Sequence, residues 1–436
     1  MEQNAMSQEE KRELRRKRRQ RNQIAAYLTV IVLLIILAVG IVLGVKNLTE
    51  KSEQKTAEQQ NKVEEMLGTE ETLQTPEPTE AVVELTPEQK LDEIVNAGIE
   101  VMPLEDKVAG LFIVTPESIT GVSAAVQAGE GTQQALAEYA VGGIVYFGKN
   151  MQSAEQLQEM IDNTQLYTKY PLFIAVDEEG GSVSRVADAG IAAKVDSAQA
   201  IGQTGDANNA YVAGTTIGSY LSDLGFNLDF APVADLANIE GSVMESRAYG
   251  SDAATVAPFV TSMVQGLEEQ NVTACLKHFP GIGSSTMDTH DGLATTDRSA
   301  EDFRANEFTV FQSAIDAGAD MIMVGHMSAP ALAGDNTPSS LSGAVVTDIL
   351  RNELNFRGVI ITDAMNMAAI SDYYEADEAA ILALKAGCDM ILMPEDFEKA
   401  YNGVLEAVQN GTISEERIDD SLRRIYRIKY ADKIEQ

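Results

Sequence analysis

Cysteine is nearly missing from this chain: Cys275 and Cys388 are the only two in 436 residues, and both sit inside apolar runs. So few thiols exclude a disulfide framework, although one isolated bridge between the two stays open, and each is expected to behave as a small buried hydrophobe. Histidine is almost as scarce, with three copies, and neither an HExxH segment nor a clustered Cys/His pattern occurs. No metal and no cofactor are therefore expected. Positive charge is also in short supply, with 32 Lys and Arg against 67 Asp and Glu and a formal net charge of −35. A surface of that sign repels nucleic acid, which is excluded as a partner.

The basic residues that do occur are crowded at the start. Lys11, Arg12, Arg15, Arg16, Lys17, Arg18, Arg19 and Arg21 precede an unbroken run of apolar residues and glycine over 24–45, relieved only by Tyr27 and Thr29. About 20 such residues suffice to span a bilayer, and the positive-inside rule keeps the basic arm in the cytoplasm. The expected layout is a cytoplasmic arm over 1–23, a single-pass anchor in the lipid bilayer over 24–45, and the rest of the chain outside the cell membrane. No A-x-A site follows Val45, which speaks against a cleaved signal peptide. A Lys/Arg cluster set directly against an apolar span is better explained as a topology signal than as a nucleic-acid tail. Residues 46–90 are rich in Glu, Gln, Thr and Lys, with Pro76, Pro78 and Pro87. A stretch with so little apolar surface is expected to be a disordered linker.

Residues 91–436 are expected to form one α/β domain. Eight short apolar, β-branched runs stand out, at 110–115, 143–147, 172–177, 227–231, 273–279, 320–325, 358–363 and 389–393. Amphipathic stretches long enough for helices lie between most of them, at 153–167, 207–224, 253–269, 300–317, 341–355 and 377–386. Strands that are apolar throughout and alternate with helices imply a parallel sheet covered on its outside. An open doubly wound sheet fits the same alternation. What favours a closed (β/α)8 TIM-type barrel is that Asp177, Asp229, Lys277, His278, His326 and Asp363 fall at the C-terminal ends of several different runs. In a barrel those ends share one face, whereas a doubly wound sheet gathers its site at one switch point.

All three histidines, His278, His290 and His326, fall at or just after the fifth and sixth strands, which points to a site. The segment from Lys277 to Gly283 leaves strand five and enters a Gly- and Ser-rich loop that reaches Asp288-Thr289-His290. A carboxylate two residues from His290 on an extended loop can sit on the imidazole, fix its tautomer and stabilise its cation. His290 can then carry the proton that a leaving oxygen needs. Asp363 ends the run Val359-Ile360-Ile361-Thr362, where a carboxylate can serve as nucleophile, as base or as a cap on the next helix. Asp177 leads into Glu178-Glu179-Gly180-Gly181, and a short acidic side chain there suits paired sugar hydroxyls.

Taken together, these segments resemble glycoside hydrolase family 3, and within it the single-domain β-N-acetylglucosaminidases (β-hexosaminidases). The resemblance covers nearly all of residues 100–430. It rests on Asp177 to Gly181 with Arg185, on Phe230-Ala231-Pro232-Val233-Ala234-Asp235, on Arg247-Ala248-Tyr249-Gly250, on Lys277 to Gly283, on Asp288-Thr289-His290 and on Thr362-Asp363. It implies retaining hydrolysis of terminal β-linked N-acetylhexosamine from cell-wall or other glycans, with Asp363 as nucleophile and His290, paired with Asp288, as acid and base. It also implies that Asp177, Arg185, Arg247, Lys277 and His278 bind the carbohydrate substrate, with His326 near. Ile282 and Ser182 depart from the family pattern, which has a second His and an Arg there. The competing readings are a family 3 β-glucosidase or β-xylosidase, which usually lack the Asp-x-His loop, and an N-acetylglucosaminide phosphorylase that uses phosphate in place of water. A non-catalytic surface glycan-binding protein is the alternative from another class, and the presence of Asp363, Asp288 and His290 speaks against it.

Overall fold

A computed structural model describes residues 85–287 and 292–431. The basic arm, the apolar run 24–45, the linker up to residue 84, and both Asp288 and His290 lie outside the described residues. Among the described residues no helix is long and apolar enough to cross a membrane.

Each of the eight apolar runs forms a strand: β1 (Phe112–Val114), β2 (Gly143–Val145), β3 (Phe173–Val176), β6 (Leu228–Asp229), β7 (Thr273–Phe279), β8 (Met321–Val324), β9 (Val359–Ala364) and β10 (Met390–Leu392). All eight pair in parallel, in the order β1-β10-β9-β8-β7-β6-β3-β2, and the ring closes where Phe112 and Ile113 register with Ile391 and Leu392. That closing pair rules out the doubly wound sheet. The strands are buried nearly throughout, which is why they read as continuous apolar runs with no alternation. Between β3 and β6 lies an unexpected two-stranded antiparallel hairpin, β4 (Glu178–Gly180) and β5 (Val183–Ser184).

Helices start where short polar side chains take up orphan amides: Ser153 accepts from the Gln156 N–H, Asp252 from Thr255 and Ser414 from Arg417. Helices Asn208–Leu224 and Ala253–Glu268 approach closely through glycines. A Cβ on Gly214 would lie 2.5 Å from the Met263 carbonyl oxygen, and one on Gly266 2.5 Å from that of Tyr211. The stretch expected as one helix over 300–317 is two, Ala300–Ala305 and Glu307–Asp316. Asn306 breaks it by turning its side-chain amide back onto the Asp302 carbonyl, which lets Glu307 enter the interior and pair with Arg298. The stretch expected as an α-helix over 341–355 is a π-helix over Ala344–Glu353.

Helical structure is present in the last residues of the expected linker. Helix Pro87–Glu100 starts inside 46–90 because Thr86 and Gln89 form a reciprocal capping box with Pro87 in the first turn. Its buried stripe of Leu91, Val95 and Ile99 packs against helix Glu415–Tyr430. At the N-terminal end of the barrel the buried Asp389 carboxylate joins three elements. It accepts from Arg351 (2.6 Å), the Ile360 N–H (2.9 Å), Ser421 (2.8 Å) and Arg424 (3.0 Å). Cys275 and Cys388 are both free and buried, so the isolated bridge left open by the sequence is not made.

Candidate active site

The C-terminal ends of the strands open into a cavity of about 670 Å³. Asp177, Arg185, Arg247, Lys277, His278 and Asp363 all line it, so six of the eight residues given a catalytic or sugar-binding role from the sequence come together. The remaining two, Asp288 and His290, lie outside the described residues.

Lys277 leaves the inner face of β7 and is 2% exposed. Its ammonium meets two carboxylates at 2.7 Å, Asp177 Oδ1 from the end of β3 and Glu179 Oε1 from β4. Glu179 also takes a bidentate grip from Arg247, with Nε at 2.9 Å and Nη2 at 2.6 Å. Burial pushes the Glu179 carboxyl upward, but the charges of Lys277 and Arg247 outweigh it and hold the group down at about 2. The sequence reading gave Glu179 no role. The signal was present, since residues 177 and 179 share one face of an extended segment while 178 points to the other.

His278 follows Lys277 across a cis peptide bond. Its Nδ1 lies 2.7 Å from Asp235 Oδ2, and Asp235 also accepts the main-chain N–H groups of His278 (3.2 Å) and Ile282 (2.7 Å). Ile282 therefore supplies a backbone anchor for Asp235 while its side chain lines the cavity. Ser182, the other departure, is exposed in the hairpin turn. His326 sits buried beside the site, with Nδ1 2.8 Å from Ser340 Oγ and Nε2 donating to the Ala364 carbonyl at 3.0 Å.

Asp363 stands at the end of β9. Its Oδ1 accepts the Ala364 N–H at 2.8 Å, and no other hydrogen bond to it is made among the described residues. Burial pushes its carboxyl up, yet His278, His326, the Ala364 amide and Lys277 together bring it below the ordinary aspartate value. It is thus an ionised, partly buried carboxylate beside two imidazoles and the Lys277 ammonium, as a nucleophile requires. Asp229, beneath the floor, is the opposite case. Burial drives it well above its usual value, Oδ1 accepts the Glu178 N–H at 2.9 Å, and the buried Oδ2 has no partner among the described residues. Arg185 lines the cavity, and its buried Nε has no partner among the described residues. Among the described residues no group of three His, Cys, Asp or Glu side chains is placed to hold a metal ion.

Fold and cavity together define a (β/α)8 barrel with a charged, ligand-sized cavity at the rim where such barrels carry their sites. The chain belongs to glycosyl hydrolase family 3: residues 103–428 match the family described as the glycosyl hydrolase family 3 N terminal domain. Among its relatives is a protein named beta-hexosaminidase A from Pseudoalteromonas piscicida, 31% identical over 326 residues, which cover 67% of this chain and 54% of that one. A beta-hexosaminidase from Nitrosomonas eutropha is 35% identical over 266 residues, 60% of this chain and 75% of that one. The solved structure of a glycoside hydrolase family 3 beta-N-acetylglucosaminidase from Paenibacillus sp. is similar with a TM-score of 0.73 and 35% identity, over 77% of this chain and 64% of that one. The match thus spans about half the length of the Pseudoalteromonas protein and under two thirds of the Paenibacillus chain.

Proposed function

We propose that this chain is a retaining β-N-acetylhexosaminidase that removes terminal β-linked N-acetylglucosamine. The observation that carries the reading is Asp363, held ionised at the cavity floor and not hydrogen-bonded into the Lys277–Asp177–Glu179–Arg247 network. In this reading the Asp363 carboxylate attacks the anomeric carbon and forms a covalent glycosyl-enzyme as the glycosidic C–O bond breaks. His290, with Asp288 on its imidazole, gives its proton to the departing oxygen and then takes one from the water that releases the sugar, so the β configuration is retained. Asp177, Arg185, Arg247, Lys277 and His278 supply donors and acceptors for the sugar's polar groups. Phe147, Met244, Met367 and Met393 give the same cavity apolar lining for a ring face or an acyl methyl. Residues 24–45 hold the barrel at the outer face of the cell membrane.

The test is release of the aryl group from an aryl N-acetyl-β-glucosaminide by the full-length chain, with the matching β-glucoside as control. No release from the first, or faster release from the second, would sink the assignment. The role of His290 is separable by leaving group. On an activated aryl glycoside His290→Ala should slow formation of the glycosyl-enzyme only modestly. On an alkyl glycoside it should cost roughly 10²–10⁴-fold. Azide should then rescue the second step and yield a β-glycosyl azide, and equal losses on both substrates without that product would remove His290 from the proton transfer.

A further inference from the structure

The acidic run Asp177-Glu178-Glu179 sends its outer two carboxylates to Lys277, and its middle one elsewhere. Glu178 is fully buried, at 0% exposure, and is absent from the cavity lining. Its Oε2 accepts the Val186 N–H at 2.8 Å, and its Oε1 accepts the Ala187 N–H at 3.0 Å and the Tyr220 hydroxyl at 2.8 Å. Its own N–H is given to Asp229 Oδ1 at 2.9 Å. Glu178 is therefore fixed at the main chain and at the side chain, and the amides it holds are those of the two residues after Arg185.

Arg185 needs such a hold. Of the other basic side chains lining the cavity, Arg247 and Lys277 have Glu179, and His278 has Asp235. Among the described residues Arg185 has no carboxylate partner and its buried Nε has no acceptor. A guanidinium that no anion locates takes its direction from its backbone. Its own N–H reaches the Asp177 carbonyl only at 3.4 Å, so the two following amides set that direction. Simple helix capping is a poor account of Glu178, because the helix it would cap runs only from Arg185 to Asp188.

We infer that Glu178 is a positioning residue: by holding the amides of Val186 and Ala187 through its buried carboxylate, it aims the unpaired Arg185 guanidinium into the cavity. The inference rests on reading that cavity as a glycoside site. Glu178→Gln keeps the shape but turns an NH₂ toward at least one of three donors. In the full-length chain it should raise KM for the aryl N-acetyl-β-glucosaminide about tenfold while changing kcat much less. In an Arg185→Ala background the same change should add almost nothing, because the group it aims is gone. Additive losses in that cycle would overturn the inference. Tyr220→Phe removes one donor and spares both amides, so it should shift KM a few-fold in the same non-additive way, and it serves if Glu178→Gln does not fold. Hydrogen exchange decides the matter without turnover, since the Val186 and Ala187 amides should exchange faster in Glu178→Gln. Unchanged exchange would overturn the role of Glu178 whatever the chain hydrolyses. A wild-type chain that leaves the glycoside intact, with the exchange altered as expected, would sink the hydrolase reading alone and leave the role of Glu178 standing.

Discussion

Lys277 and Arg247 share one buried carboxylate, and that sharing makes Glu179 the residue whose loss should be felt most widely in the site. Glu179→Gln leaves Arg247 without its ion-pair partner and Lys277 paired with Asp177 alone, which should cost about 3 kcal/mol at neutral pH in denaturant titrations. The sign of the pH dependence follows from the lowered carboxyl. The stabilisation is present above the ordinary glutamate range and is lost as pH falls toward about 2, so the gap between wild type and Glu179→Gln should close over that interval. A gap that stays constant from neutral pH down to 2 would show that the charge of Glu179 is not what matters. Asp363→Asn should lower turnover by about 10³-fold or more while leaving Tm near that of wild type, because it removes the attacking charge and little else. Near-native rates would take the nucleophile's role from Asp363. At this scale the sequence was only partly legible. Strand-end residues such as Asp177, Lys277 and Asp363 could be picked out because a charge terminating an apolar run is conspicuous. Their pairing could not, since Lys277 and Asp177 are 100 residues apart and Asp235 reaches His278 from another loop.

The strands were the most readable elements, because burial on both faces leaves an unbroken apolar run with few competing explanations. The β4–β5 hairpin was not readable: its strands are three and two residues long and largely polar, so no period can be seen in them. The break at Asn306 was hidden for a related reason, since helical periodicity continues through it and only the Glu307–Arg298 pair reveals why the chain turns there. Gly283 shows how closely the site loops are stacked. A Cβ at that position would lie 1.9 Å from the Leu236 carbonyl oxygen, on the loop that leads to Arg247. Gly283→Ala should therefore destabilise the chain by about 1–3 kcal/mol and depress turnover as well, because two loops must part to admit one methyl group. A variant with unchanged Tm and kcat would mean that the two loops are not locked together.

At the scale of the domain two buried ionic networks stand at opposite ends of the barrel, with the cavity network at one and Asp389 at the other. Asp389→Ala should cost about 3–5 kcal/mol by stranding Arg351 and Arg424, yet kcat per folded molecule should be unchanged because the cavity does not use it. A fall in kcat with stability intact would contradict that separation. The anchor reading belongs to this scale too. Protease added to intact cells should release an active fragment that begins within residues 46–90, and activity confined to the cytosol would refute it. The two cysteines carry a last consequence. Both thiols are sealed in the interior, and burial pushes Cys388 up to about 12 and Cys275 well above its ordinary value, so neither offers a thiolate to solvent. Neither thiol of the native domain should react with peroxide or with thiol-titrating dyes, and two equivalents of dye should be taken up only once the domain is denatured. Folding alone, with no reductant and no bridge, keeps both thiols out of reach of an oxidising medium.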